Sequence, residues 1–467
     1  MRQDLLLDTK RGSTNPNDFP YMIISGKHSG ASASELAGTT PPAATANYTA
    51  EGAIPNNAPV ALRSDGKIEA IGTSAIPNNG AVLGTATEFS TVGFEKYSLC
   101  YNSLNSTSIF VGKDQDDVMK SVVITIDPSN NTSSVGTHQT IPGVQDLQQV
   151  SVIHDPHTNR VVVTGSVYSG HSYACLGTPN ANNTTIDWED AQVVIANRNS
   201  KNRRDGYRNL IMDTYNNKVV WLYQNGNDFY TPELIAIVGT IDAVNNTITW
   251  GSEVLVTSAD ANVGSSAMVF DTTNNKVVIA YSDYQNSAYV SYVIVGTVSG
   301  NSISFGTPVA NAGRFYYVGM AYDPVNDVIA VVGEHGNNSY NGWSRCGRVS
   351  GTSFTWLNNF GNNAHRFSAG YQTWNNRIMY NPDTGGFIVQ YIWPSQEKVR
   401  IRHGMYDSSL GGIDWFISPY PEYLGLQLDG NDNTSFREAK TIYDTTKRRF
   451  LTVWDVSGTT SCKAIVG

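Results

Sequence analysis

The sequence predicts an all-β fold: a seven-bladed β-propeller of four-stranded antiparallel blades, closed by an N-terminal strand. A repeated unit of four short apolar runs predicts the blades, and a last unit that lacks one run predicts the closure. The unit is clearest at 263–311, where runs of alternating β-branched and aromatic residues are separated by turns of Asp, Asn and Gly. Four antiparallel strands in about 50 residues form one small sheet.

The unit recurs seven times along the chain. In each copy a first strand ends at Asp or Asn and a short polar turn leads into a second apolar strand, as at 266–278. The residues that begin these turns are Asn102, Asp155, Asp213, Asp271, Asp323, Asn381 and Asp444. Their spacing of 52 to 63 residues indicates a repeat architecture.

The apolar pattern favours a closed ring of blades. Both faces of a predicted sheet carry apolar residues, as at 276–281, so each sheet must stack on two neighbours. Radial stacking also hides the strand edges, and the small residues of the first strand, as at 264–267, suit a crowded channel. The last unit ends with its third strand at 464–467, and residues 82–89 have the pattern of the missing fourth strand. We therefore expect seven blades, with six or eight as alternatives.

Three regions are predicted: an extended docking arm at 1–51, a small β-hairpin module and linker at 52–79, and the propeller at 80–467. Residues 29–52 have too few apolar side chains to build a core. The arm is either flexible or ordered by docking on a partner. The candidate docking residues are Leu5, Leu6, Leu7, Tyr21, Ile23 and Ile24. In the module, alternating strands flank Ser64-Asp65-Gly66, which is a strong hairpin signal.

Composition narrows the classes of function. With 31 basic and 40 acidic residues the net charge is −9, which argues against nucleic-acid binding because phosphates need a basic surface. The four cysteines form no CxxC pair and no metal-ligand spacing, so buried free thiols are expected, with no metal or cofactor. No apolar run has the length of a signal-peptide core or a membrane span, so we expect a protein made in a cytoplasm with no membrane contact.

Two periodic features have both a chemical and a structural interpretation. The Asp/Asn turn residues could form a ring of metal ligands or could cap their own turns; Asn at 102 and 381 favours capping. An aromatic residue follows at a fixed place in the fourth strand. These residues are Trp188, Trp250, Phe305, Trp356 and Trp415. They lack the Ser-x-Asp-x-Gly of the Asp-box found in sialidase-like propellers, so we predict that they pack between blades.

Variable loops are expected on the opposite face, where scaffolded loops usually bind ligands. Flat aromatics beside Asn, Asp and Arg suit a glycan or receptor surface, although a merely solvated loop face is an equal alternative. The candidate ligand-binding residues are Tyr168, Tyr173, Tyr230, Tyr284, Tyr316, Tyr340, Trp393 and Tyr420. A glycan-cleaving enzyme remains an alternative, because two carboxylates about 5–9 Å apart suit glycoside hydrolysis. The carboxylates on these loops are Asp116, Asp228, Asp283, Glu334 and Glu397.

The repeat at 266–308 resembles the propeller repeats in virion proteins of tailed, marine bacteriophages, and the likeness covers about 80–467. The stretch Gly-Ala-Ile-Pro-Asn-Asn-Ala-Pro-Val-Ala-Leu-Arg-Ser-Asp-Gly-Lys-Ile at 52–68 is similar to a module of phage tail fibre proteins. The resemblance implies a non-enzymatic structural protein of the virion, assembled in the host cytoplasm. It implies a tail fibre or other tail-associated protein, or else a head decoration or fibre protein of the capsid. Other tail or capsid proteins, further copies of the chain and a host-surface glycan are its expected partners.

Overall fold

The computed structural model describes residues 22–23, 49–50, 59–62, 67–70, 84, 86–90, 93–147, 150–167, 170–195, 200–201, 209–225, 233–257, 263–283, 290–311, 313–336, 340–357, 365–368, 372–393, 398–415, 439–455 and 462–467. These residues form strands and turns, with no α-helix in these ranges. Within them, no helix of the length and apolarity of a membrane span was found. The chain forms two compact units, Met1–Ala81 and Val82–Gly467.

The first unit contains a four-stranded sheet in the order β1-β3-β4-β2. Its strands are β1 (Met22–Ile23), β2 (Thr49–Ala50), β3 (Pro59–Leu62) and β4 (Lys67–Ala70). Strands β3 and β4 form the predicted hairpin, while β1 pairs antiparallel with β3 and β2 pairs parallel with β4. The segment predicted as an extended arm thus supplies two strands to this sheet. Ile23 lies in β1 opposite Pro59, and the other candidate docking residues (Leu5, Leu6, Leu7, Tyr21 and Ile24) lie outside the described residues.

The second unit is the predicted seven-bladed propeller. Blade 1 consists of β6 (Phe94–Asn102), β7 (Thr107–Asp114), β8 (Val118–Asp127), β9 (Thr132–Val135) and β10 (Gln139–Gln145). Blade 2 consists of β11 (Ser151–Asp155), β12 (Arg160–Ser166), β13 (Ser172–Pro179), β14 (Ile186–Trp188) and β15 (Gln192–Ile195). Blade 3 consists of β16 (Ser200–Lys201), β17 (Leu210–Asp213), β18 (Lys218–Asn225), β19 (Glu233–Asp242), β20 (Thr247–Trp250) and β21 (Val254–Leu255).

Blades 4 to 7 follow the same plan. Blade 4 consists of β22 (Val263–Asp271), β23 (Lys276–Asp283), β24 (Val290–Ser299), β25 (Ser302–Phe305) and β26 (Val309–Asn311). Blade 5 consists of β27 (Phe315–Asp323), β28 (Val328–His335), β29 (Asn341–Ser350) and β30 (Ser353–Trp356). Blade 6 consists of β31 (Trp374–Asn381), β32 (Gly386–Trp393), β33 (Lys398–Asp407) and β34 (Gly412–Asp414). Blade 7 consists of β35 (Ala439–Asp444), β36 (Arg449–Asp455), β37 (Cys462–Val466) and β5 (Thr87–Ser90).

The ring closes as the sequence predicts. Strand β5 pairs antiparallel with β37, and Cys462 lies opposite Ser90. The innermost strands of neighbouring blades pack on one another around the whole ring, and β35 of blade 7 packs on β6 of blade 1. The apolar core lies between blades, because both sheet faces are covered. Val220 and Leu222 of blade 3, for example, share a buried cluster with Met268 and Ile279 of blade 4.

The turns between first and second strands define what we call the lower face. Asp271 accepts hydrogen bonds from the backbone N–H of Thr273 (3.0 Å) and Asn274 (2.9 Å), and Asn381 accepts one from Asp383 (3.0 Å). Equivalent bonds occur at Asn102, Asp155, Asp213, Asp323 and Asp444. The capping interpretation is therefore confirmed. Each turn ends with a left-handed residue; these are Ser106, Asn159, Asn217, Asn275, Asp327, Gly385 and Arg448.

The fourth-strand aromatics pack between blades, as predicted. Trp188 contacts the cluster between blades 1 and 2, and its indole N–H donates to Ser121 Oγ of blade 1 at 2.8 Å. Trp415 makes the equivalent bond to Ser344 of blade 5 at 2.7 Å. These rings lie on glycines of the third strand: a Cβ added at Gly296 would meet the Phe305 ring at 2.8 Å. The prediction for the cysteines is also confirmed, since all four are buried free thiols.

Candidate functional site

The upper face, opposite the turns of the lower face, carries the ends of the second strands and the starts of the third strands. Four of the eight candidate ligand-binding aromatics lie there within the described residues: Tyr173, Tyr316, Tyr340 and Trp393. The other four, Tyr168, Tyr230, Tyr284 and Tyr420, lie outside them. Tyr173 is half-buried in blade 2, against the apolar cluster shared with blade 1. Of the four described candidates, Tyr316 and Tyr340 lie together.

Tyr316 and Tyr340 belong to blade 5: Tyr316 lies at the start of β27, and Tyr340 lies in the turn just before β29. Their ring centroids are 6.2 Å apart with an interplanar angle of 31°. Tyr340 is 46% exposed, and Tyr316 is half-buried. The Tyr316 ring lies on the backbone of Gly336, where an added Cβ would meet ring atom Cε2 at 2.6 Å. The pair presents a flat aromatic surface of the kind that binds the apolar face of a sugar or a peptide side chain.

Unusual backbone conformations occur beside this pair. Tyr340 has φ 59° and Tyr317 has φ 50°, in the left-handed region that is rare for bulky side chains. Among the described residues these are the only aromatic residues there; the other non-glycine residues are small, polar or charged. Tyr317 lies in a β-bulge, where the pairing of β27 with β28 shifts between Tyr316 and Gly319. Bulges re-aim side chains and are frequent next to functional sites.

A second group of aromatic and basic side chains lies in the upper part of blade 5. The Trp343 ring is 5.5 Å from the ring of His335, and the Arg366 guanidinium lies 5.8 Å over Trp343. Arg366 forms an isolated β-bridge with Trp343, which fixes its backbone at the outer edge of β29. Trp343 is buried and Arg366 is half-buried, so the guanidinium covers the ring. We call Arg314, Tyr316, His335, Tyr340, Trp343 and Arg366 the blade 5 patch.

Burial and a neighbouring cation set the protonation of the patch. Burial lowers the pKa of His335, and the positive charge of Arg314 lowers it further. The backbone carbonyl of Arg314 accepts a hydrogen bond from the N–H of Gly336 at 3.0 Å, which places this arginine next to the end of β28. His335 is therefore neutral at neutral pH. The positive charge of the blade 5 patch comes from its arginines.

Trp393, the remaining described candidate, lies at the end of β32 in blade 6. It is buried, and the guanidinium of Arg400 lies 4.3 Å from its ring centroid. The predicted indole is therefore covered, and Arg400, which covers it, is itself half-buried. Blade 6 therefore repeats the arginine-over-tryptophan arrangement of Arg366 and Trp343 in blade 5.

Three of the five candidate carboxylates of the enzyme alternative are described, and they lie on separate blades. Asp116 is exposed in blade 1, Asp283 ends the second strand of blade 4, and Glu334 is buried in blade 5. Asp228 and Glu397 lie outside the described residues. Among the residues that the structure describes, no group of three or more His, Cys, Asp or Glu side chains could hold a metal ion.

The sequence pattern indicates aromatic ligand-binding residues and does not indicate arginines, although Arg314 and Arg366 occur in the variable loops. Arg345 of β29 and Arg402 of β33 lie inside strands and are buried. The third strands of blades 2 to 6 share a glycine, which is Gly347 in blade 5 and Gly404 in blade 6. Two residues before it, blades 2, 3 and 4 have apolar residues, whereas blades 5 and 6 have Arg345 and Arg402.

No family model matches the sequence, and no curated protein matches it. Several solved structures are similar in fold. A Lactobacillus plantarum protein is 11% identical, with a TM-score of 0.45 over 79% of this chain and 92% of that one. The β-propeller domain of the Trilobed protease from Pyrococcus furiosus is 7% identical, with a TM-score of 0.42 over 81% of this chain and 94% of that one. A fungal alcohol oxidase of the AA5 family is 12% identical, with a TM-score of 0.48 over 83% and 76%. Likeness at this level does not assign an activity.

Proposed function

We propose that the protein is a non-enzymatic structural component of a tailed-bacteriophage virion whose propeller binds a glycan on the host surface. The observation that carries the binding proposal is the Tyr316–Tyr340 pair, with ring centroids 6.2 Å apart; the Arg366–Trp343 stack lies in the same blade. Aromatic faces stack on the C–H faces of sugars, and a guanidinium donates several hydrogen bonds to hydroxyl or acidic groups.

The two faces of the propeller differ in a way that supports this assignment. On the lower face the short turns are stabilised by hydrogen bonds to their own side chains; Asp271, for example, accepts bonds from the backbone N–H groups of Thr273 and Asn274. On the upper face, blade 5 keeps Tyr317 and Tyr340 in a costly backbone conformation. Strain that survives in a rigid scaffold is a common property of binding sites. The upper face is therefore the proposed receptor face.

The virion assignment is supported by the resemblance of 52–68 and of the propeller repeats to phage proteins. We propose that residues 1–51 attach the chain to other tail or capsid proteins, and that several copies are carried on each particle. Deleting residues 1–50 is expected to leave a folded propeller that is absent from purified particles. If that truncated protein were incorporated as well as the full chain, the attachment proposal would be wrong.

The binding proposal is tested with a matched pair of tyrosines. Tyr340 is 46% exposed on the upper face, and Tyr215 is 67% exposed in a turn of the lower face. Purified protein is expected to bind host cells and to compete with phage adsorption. Tyr340→Ala should weaken cell binding about fivefold to tenfold, since a ring stacked on a ligand contributes about 1 kcal/mol or more. Tyr215→Ala should leave it unchanged; equal effects would contradict the site. Release of oligosaccharides from the host glycan would instead support the enzyme alternative.

A further inference from the structure

Two positions of the repeat change from apolar to polar in blade 6. Eight and five residues before the turn residue, blade 5 has Phe315 and Val318, which are buried in the apolar cluster shared with blade 4. The same positions of blade 1 also hold buried aromatic residues. In blade 6 they are Thr373 and Asn376, and both residues are 0% exposed. Blade 6 therefore has a hydroxyl and an amide where blades 1 and 5 have core side chains.

The polar atoms of these two side chains are not satisfied by the fold. Within the described part of the chain, neither Oδ1 nor Nδ2 of Asn376 has a hydrogen-bond partner, and Oγ1 of Thr373 has none either. A buried polar group without a partner is destabilising, so an apolar side chain would be more stable at each position. Such groups call for a partner from outside the chain, which is either an ordered water or a ligand.

Asn376 lies against blade 5. It belongs to a β-bulge of β31, whose pairing with β32 shifts between Trp374 and Arg377, so that two residues stand opposite Tyr391. Tyr391 is part of the apolar cluster between blades 5 and 6. A Cβ added at Gly319 of blade 5 would lie 2.8 Å from the carbonyl oxygen of Asn376. The bulge is therefore packed on the first strand of blade 5.

The tyrosine pair lies on the same side of blade 5. Tyr316 and Gly319 pair with alternate residues of β28, so they occupy the face of the sheet that is turned towards blade 6. The N–H of Thr373 donates to the carbonyl of Tyr340 at 3.2 Å, which joins the start of β31 to the turn before β29. We call Tyr316, Tyr340, Thr373 and Asn376 the interblade site. It lies at the upper end of the interface between blades 5 and 6.

The two unsatisfied side chains match hydroxyl groups. The amide of Asn376 offers an acceptor and two N–H donors, and the hydroxyl of Thr373 both donates and accepts. Neighbouring hydroxyls of a sugar can donate to Oδ1 of Asn376 and accept from its Nδ2 at the same time. An ionised carboxylate or phosphate only accepts, so it would leave Oδ1 buried without a donor. The chemistry of the site therefore favours an uncharged sugar over an acidic one.

We propose that the interblade site recognises the hydroxyl groups of an uncharged sugar unit, so that the receptor is a neutral glycan. This rests on the proposed function, in which the tyrosine pair binds a host glycan. The sugar ring stacks on the tyrosine pair, and Thr373 and Asn376 each bond one of its hydroxyls. Both side chains are covered, so binding requires the turn at Tyr340 to move. Tyr340 has φ 59°, and a costly backbone conformation of this kind is typical of ligand clamps and switch segments.

The first test measures which polymers bind the full-length protein, immobilised for biolayer interferometry. The polymers are dextran, mannan and galactan, which are uncharged, and polygalacturonate, which carries carboxylates. At least one neutral polymer is expected to bind, with an affinity that is the same within about twofold at low and high salt concentration, because no ion pair forms. Periodate cleavage between the neighbouring hydroxyls of that polymer should weaken its binding about tenfold or more.

The second test removes the polar atoms of the site. Asn376→Val introduces the residue that blade 5 has at the equivalent position, and Thr373→Val replaces the hydroxyl by a methyl group. Each variant should raise the melting temperature by about 1 °C, because an unsatisfied buried group is lost. Each should also weaken binding of the neutral polymer about fivefold or more, because a sugar hydroxyl loses its partner. Should Asn376→Val unfold the protein, Thr373→Val decides.

A matched threonine in another blade is the control. Thr164 of β12 in blade 2 is also 0% exposed, and its Oγ1 likewise has no partner within the described ranges. Thr164→Val should raise the melting temperature as Thr373→Val does and leave polymer binding unchanged. Equal losses of binding in the two variants would trace the effect to the fold, and the interblade site would be wrong.

Each remaining result overturns the inference in a recognisable way. Unchanged binding by Thr373→Val together with a lower melting temperature would show that Thr373 bonds an internal water. Binding that survives periodate cleavage would reject recognition of hydroxyls. Salt-sensitive binding of polygalacturonate alone, or binding of none of the polymers, would reject the neutral class.

Binding to host cells separates this inference from the proposed function. A loss of cell binding in Tyr340→Ala without a loss in Thr373→Val would reject hydroxyl recognition at the interblade site and retain glycan binding by the tyrosine pair. Full cell binding by both variants would reject the tyrosine pair as the receptor site as well.

Discussion

Arg449 of blade 7 donates from Nε to Oδ1 of Asn131 in blade 1 at 2.6 Å, across the point where the ring closes. Its Nη2 also donates to the carbonyl of Pro128 at 3.0 Å. Arg160 makes the equivalent contacts within the ring, from blade 2 to Asn246 (3.1 Å) and Ala243 (2.8 Å) of blade 3. In both cases the arginine that begins a second strand bonds to the turn between the third and fourth strands of the next blade, and at Arg449 this contact joins the last blade to the first.

The Arg449→Ala substitution should therefore lower the free energy of unfolding by about 2 kcal/mol, since it leaves two acceptors of the blade 1 turn without their donor. Chemical denaturation of Arg449→Ala, Asn131→Ala and the double variant measures the coupling, which should be about 1 kcal/mol. Arg160→Ala serves as the matched variant inside the ring. Additive effects at Arg449 and Asn131 would contradict a direct contribution of this bond.

Gly251 is required by the close approach of two blades. A Cβ at this position would lie 1.7 Å from the carbonyl oxygen of Asn301 in the next blade. Gly251→Ala should destabilise the protein by about 3 kcal/mol, because backbone atoms must move apart. Thermal and chemical denaturation measure this effect.

Gly385 offers the control for that variant. It has φ 66° with no atom within 4 Å of an added Cβ, and asparagine occupies the equivalent left-handed position as Asn159, Asn217 and Asn275 in blades 2 to 4. Gly385→Asn should therefore change stability by less than about 0.5 kcal/mol. A Gly251→Ala variant as stable as Gly385→Asn would show that the blades can separate at little cost.

Two N-terminal truncations should show that the propeller depends on the closing strand β5 for stability and does not depend on the first compact unit. A chain that begins at Val82 keeps β5 and should unfold within a few degrees of the full-length protein. A chain that begins at Gly93 lacks β5, including the buried Phe89, and leaves the edge of β37 unpaired. Its free energy of unfolding should be lower by about 5 kcal/mol. Circular dichroism melts of the two chains decide, and equal melting temperatures would mean that β5 is dispensable.

Acid should weaken the propeller through its buried histidines. Burial lowers the pKa of His403 to about 4, and it lowers the pKa values of His154, His335 and His365 as well. The unfolded chain then binds more protons than the folded one below about pH 6.5, so stability is full above that pH and falls towards pH 4. Replacing His403 by Gln, which can still bond Thr384, should reduce the loss between pH 7 and 4.5 by about 2 kcal/mol. Chemical denaturation at both pH values measures it; an unchanged loss would contradict this role of His403.

The sequence predicted the repeating parts of the fold because the same local chemistry recurs in every unit. Asp271 and its counterparts bond to residues two or three positions along the chain, so the contact can be inferred from a short segment. The position of Trp188 between blades also follows from a repeat that must bury an aromatic ring. Closure by β5 was predictable because the last unit lacked one strand of a known pattern.

The candidate site could be predicted only in part. The sequence indicates Tyr316 and Tyr340 as separate candidates. Their contact depends on the bulge at Tyr317, where no Gly, Asn, Asp or Pro predicts an irregular backbone. The role of Arg366 depends on a β-bridge with Trp343, which is 23 residues away along the chain. Arg345 and Arg402 are exceptions to the repeat, and an exception is visible only after the strands have been aligned residue by residue.

The composition of blade 7 also determines when the ring can close during synthesis, because its strands come from both ends of the propeller. Strand β5 leaves the ribosome about 370 residues before its partner β37, and at about 5–20 residues per second this delay lasts from about 20 to 75 seconds. During that interval the nascent chain exposes an unpaired strand that could join a neighbouring chain on the same messenger RNA. Slow decoding of the last blade would lengthen the exposure, so the yield of closed rings should depend on the translation rate near the end of the message.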